Sequence, residues 1–235
     1  MIMKEWKGNS NSAHAAIAAH NGKGKSDRHE DDFYATDPRA IEALFNAPCY
    51  SHTQVTELYL KNAKNDPYFY FWEPAAGNGN LSDWLRQNGY KVVASDLKDR
   101  GGNGVLSNLD FLKTKNIKWQ TSDMLLRTGS SEVIPFVIIT NPPYSLATEF
   151  IEHALEILPD GGLYIALMNI TYLAGQKRYQ RVYSKGSLRE IYVFSKRIEC
   201  WKNGEQPKDK CGSIANYAWY VFQKGYNGQP TLYWL

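Results

Sequence analysis

The sequence predicts an α/β fold with a mostly parallel sheet, and three sets of residues support this prediction. The aromatic run 68–72 is typical of a buried strand, and it leads through a glycine-containing turn into a helical pattern and a second strand. The apolar run 137–140 is likewise followed by a helical pattern and another strand. Strands that alternate with helices in this way indicate a parallel sheet. Two late aromatic runs, 191–194 and 217–222, predict further strands near the end of the chain.

Local signals also predict where the helices begin and end. A first helix is predicted over 39–45, with Asp37 as its N-cap and Pro38 at its first position. A second helix follows the glycine turn, has apolar residues at helical spacing from Leu81 onward, and ends near Gly89. The remaining predicted elements are a strand at 91–95, an amphipathic helix at 145–158 and a strand at 163–168.

Composition excludes several classes of protein. The chain has 235 residues, of which 43% are hydrophobic, and a net charge of +3, so we expect one domain with a core of ordinary size. It contains no apolar run near the length of a membrane span, and we expect no secretory signal. The cysteines lack Cys-x-x-Cys spacing and the histidines are scattered, so we expect a cytoplasmic protein without a metal site. A polar arm, 1–31, would precede a single domain, 32–235.

The turn that begins at Glu73 predicts a nucleotide site. Gly77 and Gly79 would let the backbone approach a ligand closely. Asp96 ends the next strand 23 positions after Glu73, near the offset of roughly 20 residues at which an acid reaches ribose hydroxyls. Ser82 stands where the dinucleotide fingerprint has its third glycine, and a carboxylate beside the turn would repel phosphates. The pattern therefore favours S-adenosylmethionine (SAM), which carries a cationic ammonium.

The tetrapeptide Asn141-Pro142-Pro143-Tyr144, directly after the strand 137–140, indicates the chemistry. Ligands of parallel sheets bind beyond the carboxyl ends of strands, and two prolines would stiffen the chain there. The Asn141 side-chain oxygen and the Pro142 carbonyl would accept hydrogen bonds from an amino group, and Tyr144 would stack on the ring that carries it. The motif therefore predicts methylation of a planar amine.

Together these residues resemble motifs of the class I SAM-dependent methyltransferases, specifically DNA N6-adenine methyltransferases of the small type carried by phages and prophages. The similarity covers about 28–235, and the order of its motifs is similar to the arrangement called gamma. The resemblance implies a Rossmann-like, mostly parallel seven-stranded sheet with a C-terminal antiparallel hairpin, and makes the arm 1–31 a candidate cofactor lid. The stretches that carry it are 32–38, 73–79, Asp96, 99–101, 110–112, 141–144, 193–197 and 217–220.

The resemblance also implies roles for individual residues. Tyr34 and Thr36 would contact the methionine end of SAM, and Asp96 would hold the ribose hydroxyls. Asp110 would accept from the amino group of the cofactor's adenine; Asp123 is the alternative, although the spacing from Asp96 favours Asp110. The predicted cofactor-binding residues are Tyr34, Thr36, Glu73, Ala75, Gly77, Gly79, Asp96, Leu97, Asp110 and Phe111. The predicted catalytic residues are Asn141, Pro142, Pro143 and Tyr144.

Positive charge is concentrated late in the chain. Residues 177–210 contain ten Lys or Arg against four acids, a net charge of +6, which indicates either a phosphate-binding segment or a solvated surface. The long connection at 195–216 is a candidate DNA-contact loop, since loops of this length are usually functional. Tyr172 would form either one face of a base sandwich or part of the core. The candidate DNA-contact residues are Tyr172, Arg178, Lys196, Arg197 and Trp201.

The sequence therefore predicts a DNA adenine N6-methyltransferase that flips an adenine out of double-stranded DNA and transfers a methyl group from SAM. We expect a monomer or a weak dimer. Asn-Pro-Pro-Tyr also occurs in methyltransferases of RNA adenine and of a protein glutamine amide, which are the alternative substrates. A noncatalytic module of the same fold is a further alternative, and the intact Glu73, Gly77, Gly79, Asp96 and Asn141 argue against it.

Overall fold

A computed structural model of the protein describes residues 34–66, 69–115, 117–118, 132–133, 136–196, 198, 200–202 and 216–235. These residues belong to one compact unit, Phe33–Leu235. Only the backbone is described at 117–118, 132–133 and 201–202. The predicted arm 1–31 and two predicted site residues, Asp123 and Arg197, lie outside the described residues.

Twelve strands occur in the described part of the chain. In chain order they are β1 (Tyr34–Ala35), β2 (Phe71–Glu73), β3 (Val92–Ser95), β4 (Val105–Leu106), β5 (Ile117–Lys118), β6 (Glu132–Val133), β7 (Val137–Thr140), β8 (Leu163–Asn169), β9 (Leu188–Val193), β10 (Trp201–Lys202), β11 (Tyr217–Gln223) and β12 (Thr231–Trp234). Eight of them form the main sheet, in the order β4-β3-β2-β7-β8-β11-β9-β12.

The main sheet is parallel from β4 to β8. Strand β11 is antiparallel to both β8 and β9, and β12 joins the outer edge parallel to β9. The predicted α/β class, the mostly parallel sheet and the C-terminal antiparallel hairpin are therefore confirmed. The sheet has eight strands where seven were expected, because the segment Thr231–Trp234 pairs with β9.

Helices cover both faces of this sheet. The α-helices of the described residues are α1 (Pro38–Phe45), α2 (Asn80–Gln87), α3 (Ala147–Ile157) and α4 (Gln176–Arg181). A π-helical turn occupies Thr56–Leu60, and 3-10 turns occupy Ala63–Asn65, Phe111–Lys113, Tyr144–Leu146, Ile170–Leu173 and Tyr183–Lys185. As predicted, Asp37 caps α1 by accepting from the Arg39 N–H at 2.9 Å, and Pro38 takes the first helical position.

Two buried clusters lie on opposite faces of the sheet, because successive strand residues point in opposite directions. On β2, Phe71 belongs to the cluster that includes α1 and α2, whereas Trp72 belongs to the cluster that includes α3. On β7, Ile139 and Ile138 divide in the same way. The result is a three-layer α/β/α arrangement whose central strands are buried on both sides.

Two short antiparallel pairs lie outside the main sheet. In one, β1 pairs with β10, with Tyr34 opposite Lys202 and Ala35 opposite Trp201; we call this pair the β1–β10 ribbon. In the other, β5 pairs with β6. Within the described part of the chain, no helix has the length and apolar character needed to span a bilayer.

Candidate active site

Several predicted site residues meet at one edge of the sheet. Glu73 is the last residue of β2, Asp96 follows β3, and Asn141 follows β7. Strand β2 pairs in parallel with both β3 and β7, so the three strands end at the same edge. The chain leaves β2 towards β3 and β4 in one direction and continues from β7 to β8 in the other. This reversal of strand order opens the crevice in which α/β proteins bind ligands.

The turn after β2 is held by contacts with two neighbouring segments. Gly77 and Gly79 have positive φ angles of 59° and 91°, which glycine adopts without steric cost. The Gly77 N–H donates to the Asp96 carboxylate at 2.8 Å. At the other end, the Asn80 side-chain amide donates to the Thr36 carbonyl at 3.1 Å. The turn, the end of β3 and the segment before α1 therefore form one connected structure.

Asp96 is a buried and well-bonded carboxylate. Besides Gly77, it accepts from the Lys98 N–H at 2.9 Å, and the Arg100 guanidinium lies 3.4 Å from the same oxygen, Oδ1. Each carboxylate oxygen has two lone pairs, so these contacts leave capacity for further donors. The adjacent Leu97 side chain is 58% exposed. Asp96 is thus fixed in position at the edge where the sequence predicts a ribose.

Glu73 differs sharply from Asp96, because its carboxyl is buried without comparable partners. Burial raises the pKa of Glu73 to about 8, and hydrogen bonds from Ser82 offset only part of this effect. Its Oε2 atom is buried and has no hydrogen-bond partner among the described residues. A buried acceptor without a donor costs about 1–3 kcal/mol. The site therefore contains a carboxyl group that would be stabilised by a cationic or hydrogen-donating ligand.

Gly102 supports the same turn, although it belongs to none of the sequence motifs that predict the site. A Cβ atom added at Gly102 would lie 2.9 Å from the Asn78 carbonyl carbon and 2.6 Å from a methyl group of Val105. Gly102 therefore lets the segment before β4 pack directly against the glycine turn. The neighbouring Gly101 was part of the resemblance, but it has no atom within 4 Å of an added Cβ.

The predicted adenine-binding pair follows β4. Asp110 caps the 3-10 turn at 111–113 and forms an ion pair of 3.0 Å with Lys113. Phe111 is buried and packs against Trp72 and Phe150, with ring centroids 5.1 and 4.7 Å away. Because Asp123 is outside the described residues, the choice between Asp110 and Asp123 stays a prediction.

The Asn141 carboxamide has a defined orientation. Its Nδ2 donates to the Tyr34 carbonyl at 3.0 Å and lies 3.9 Å from the Cys200 sulfur. Its Oδ1 is buried and, in the described part of the protein, accepts no hydrogen bond. The side-chain NH2 group thus donates within the protein, and the side-chain oxygen remains available as an acceptor.

Aromatic rings surround the rest of the tetrapeptide. The Tyr144 ring stacks on Tyr34 at 5.6 Å and lies 6.2 Å from Tyr217. Burial raises the pKa of the Tyr144 phenol well above its usual range and that of the Cys200 thiol to about 12. Both groups are therefore neutral at physiological pH. Neither Cys200 nor Tyr217 was predicted as a site residue, because their proximity to Asn141 depends on how the last strands return to this edge.

The remaining candidates for DNA contact are divided between the described and undescribed parts. Tyr172 lies in the turn after β8, where its hydroxyl is 3.3 Å from Thr148. The Arg178 guanidinium lies 4.5 Å from the centre of the Tyr172 ring and donates to the Tyr172 and Ala174 carbonyls. Lys196 is exposed, whereas only the backbone of Trp201 is described. Arg178 is thus already bonded to the turn that holds Tyr172.

Comparison with known proteins identifies the fold. No family model and no curated protein matches the sequence. The structure is similar to a Listeria monocytogenes protein assigned to the class I SAM-dependent methyltransferases, with a TM-score of 0.52, 13% identity, and coverage of 96% of this chain and 72% of the other. It is also similar to the type IIG restriction endonuclease BpuSI, with a TM-score of 0.50, 14% identity, and coverage of 92% of this chain but 27% of the endonuclease. The chain therefore has the Rossmann-like fold of the class I SAM-dependent methyltransferases.

Proposed function

We propose that the protein is a SAM-dependent methyltransferase that modifies the N6 amino group of adenine in DNA. The observation that carries this proposal is the Asn141 carboxamide, whose Nδ2 is held by the Tyr34 carbonyl while its buried Oδ1 accepts no bond from the described residues. An oriented acceptor at the carboxyl edge of a parallel sheet fits a planar amino group as its donor.

The glycine turn fits SAM as the methyl donor. Glu73 Oε2 and Asn78 Oδ1 are buried acceptors that have no partner in the described part of the chain. They suit the ammonium of an amino acid, which would also favour ionisation of Glu73. Asp96 lies at the end of the next strand, where it would meet the ribose. When bound, SAM supplies an electrophilic methyl group next to a sulfonium.

Asn141 and Pro142 would orient the target amine. In the described chain, no backbone hydrogen bond is made to the Pro142 carbonyl, so this oxygen and Asn141 Oδ1 are both available as acceptors. Two acceptors would draw the amine hydrogens towards tetrahedral geometry and make the nitrogen lone pair available for attack. The stacked Tyr34 and Tyr144 rings provide the adjacent aromatic surface for the target ring. Positioning and desolvation would then supply most of the rate acceleration.

The choice of DNA rests on the resemblance and on charge. The segment 177–210 has a net charge of +6, and strand β9 ends at the same edge as Asn141, because β9 and β8 are both antiparallel to β11. The connection that begins at Ser195 therefore leaves the sheet at the edge that holds the amine site. A basic segment there suits a nucleic acid better than a protein.

Methyl transfer can be tested directly with methyl-labelled SAM. We would incubate the protein with duplex DNA, RNA or protein and identify the labelled unit after digestion. We expect N6-methyladenine from DNA. Label in RNA adenine or in glutamine would show that the substrate assignment is wrong, and binding of SAM without transfer to any substrate would contradict the assignment of catalysis.

Two substitutions would separate the amine site from the cofactor site. We expect Asn141→Ala to bind SAM like the wild type and to lose methyl transfer, because only the acceptor is removed. Asp96→Ala should weaken SAM binding itself, because it removes the carboxylate expected at the ribose. Calorimetric titration with SAM and single-turnover transfer rates measure the two effects. A wild-type transfer rate in Asn141→Ala would exclude its proposed role.

A further inference from the structure

The orientation of the Asn141 carboxamide is set by two contacts. Nδ2 is 3.0 Å from the Tyr34 carbonyl and 3.9 Å from Cys200 Sγ. The Tyr34 carbonyl oxygen can only accept, so this contact requires the amide nitrogen; the Cys200 sulfur, which is a weak acceptor as well as a weak donor, accepts from the same nitrogen. If the carboxamide rotated by half a turn, Oδ1 would face the Tyr34 carbonyl, and two acceptors would repel each other. Nδ2 would then take the buried position of Oδ1. The target amine, itself a hydrogen-bond donor, would meet a donor there and find no acceptor.

Both contacts come from the β1–β10 ribbon. Tyr34 belongs to β1, and Cys200 directly precedes β10. The Tyr144 ring stacks on Tyr34 beside this carboxamide, and its hydroxyl is buried without a hydrogen-bond partner among the described residues. Burial keeps the Cys200 thiol protonated, so its sulfur is an uncharged neighbour of the Asn141 amide. The residues therefore form a neutral cluster built around one catalytic side chain.

We propose that Cys200 is a positioning residue: together with the Tyr34 carbonyl, its sulfur keeps Asn141 Oδ1 turned towards the amine. This inference rests on the proposed methyl transfer for its catalytic consequence, but the orientation of the carboxamide is a property of the protein alone. Loss of the sulfur would allow the carboxamide to rotate. Because a rotated carboxamide offers no acceptor, the rate of transfer would fall while SAM binding would not change.

Three substitutions at Cys200 separate hydrogen bonding from packing. Cys200→Ser keeps an acceptor, Cys200→Val keeps a similar volume without one, and Cys200→Ala removes both. We expect Cys200→Val and Cys200→Ala to lower the single-turnover rate between about tenfold and a hundredfold, with an unchanged dissociation constant for SAM. Cys200→Ser should stay near the wild-type rate. The matched control is Cys49→Val at the exposed free cysteine, which should have no effect.

A second measurement observes the carboxamide without relying on activity. The Asn141 side-chain NH2 signals in ¹⁵N NMR spectra can be assigned by their loss in Asn141→Ala. We expect slow hydrogen exchange and two distinct proton shifts in the wild type and in Cys200→Ser, and faster exchange in Cys200→Val. Unchanged Asn141 signals in Cys200→Val would overturn the positioning role. If the wild type transfers no methyl group, the proposed function fails, whereas these spectra still decide the role of Cys200.

Discussion

At the scale of residues, the most informative contrast is between the two acids that end neighbouring strands. Asp96 receives two backbone N–H donors and contacts Arg100. Glu73 is equally buried, but one of its oxygens has no partner in the described structure, and burial raises its pKa to about 8. The hydrogen-bonding needs of the Asp96 carboxylate are therefore met within the protein. Burial of the Glu73 carboxyl costs free energy, and a ligand that donated to it would reduce this cost.

Glu73 should make the stability of the ligand-free protein fall as pH rises. Its pKa is about 8 in the folded protein against an ordinary value of 4.5, so between these values the folded state holds a proton that the unfolded chain releases. The stabilisation is complete below the lower value and is lost as pH approaches the upper one. Its size is at most about 5 kcal/mol.

Denaturant unfolding of the wild type and of Glu73→Gln at several pH values measures this effect. The free energy of unfolding of Glu73→Gln minus that of the wild type should increase between about pH 5 and pH 8. Taking the difference removes the contribution of Glu190, whose pKa is also raised by burial. A difference that does not vary with pH would show that Glu73 is ionised in the folded protein.

At the scale of elements, the glycine turn depends on the segment that leads into β4. Gly102 packs against the backbone of Asn78 so closely that no side chain fits without a shift. The turn thus packs against Gly102 and is hydrogen-bonded to the Asp96 carboxylate. If Gly77 and Gly79 contact the cofactor as proposed, a displacement of the turn would change ligand binding as well as stability.

Alanine substitutions at adjacent glycines test this support. Gly102→Ala should lower the free energy of unfolding by about 1–3 kcal/mol and should also weaken SAM binding, because the new methyl group pushes on Asn78. Gly101→Ala is the matched control: its positive φ of 73° makes it strained, but nothing lies within 4 Å of its added Cβ. It should cost stability without changing SAM affinity. Equal SAM affinity in both variants would contradict the role of Gly102.

Elements defined by local signals could be predicted from the sequence, and elements defined by distant pairing could not. The cap and proline predicted α1, and the apolar runs predicted β2, β7 and β8, because these signals lie within a few residues. Strands β1 and β10 have two residues each, and each is a strand only because it pairs with the other. Strand β12 similarly depends on the free edge of β9. For the same reason Asn141 was found from its motif, whereas Cys200, brought beside it by the ribbon, was missed.

In the molecule as a whole, the net charge of segment 177–210 overstates the number of cations that are free to contact phosphates. Arg181 pairs with Glu149 and Glu152 at 2.9 and 2.5 Å. Arg189 donates to Gln223 at 2.7 Å and lies 3.6 Å from Glu190. Two arginines of the basic segment are thus already bonded to side chains of the protein itself. Lys196, exposed at the edge where β9 ends, is better placed to meet phosphates.

The salt dependence of DNA binding distinguishes these two kinds of cation. If Lys196 contacts a phosphate, Lys196→Gln should reduce the slope of log affinity against log salt by about 1. Arg181→Gln removes the same charge from the exposed ion pairs that Arg181 forms with Glu149 and Glu152, so its slope should equal that of the wild type. Fluorescence anisotropy with a labelled duplex at several salt concentrations gives the slopes. Equal slopes for Lys196→Gln and the wild type would exclude a phosphate contact at this lysine.

The β1–β10 ribbon also has a consequence for folding. Tyr34 and Lys202 are 168 positions apart (202 − 34), and contacts between such distant residues carry a large entropy cost for closing the intervening chain. The strands of the main sheet from β2 to β8 are separated by far shorter stretches of chain than β1 and β10, so we expect them to assemble before the ribbon. The carboxamide of Asn141 acquires its partners only when the ribbon closes. During synthesis, a chain that ends before Cys200 would therefore contain the tetrapeptide and most of the parallel sheet, yet would lack the contacts that orient its central side chain.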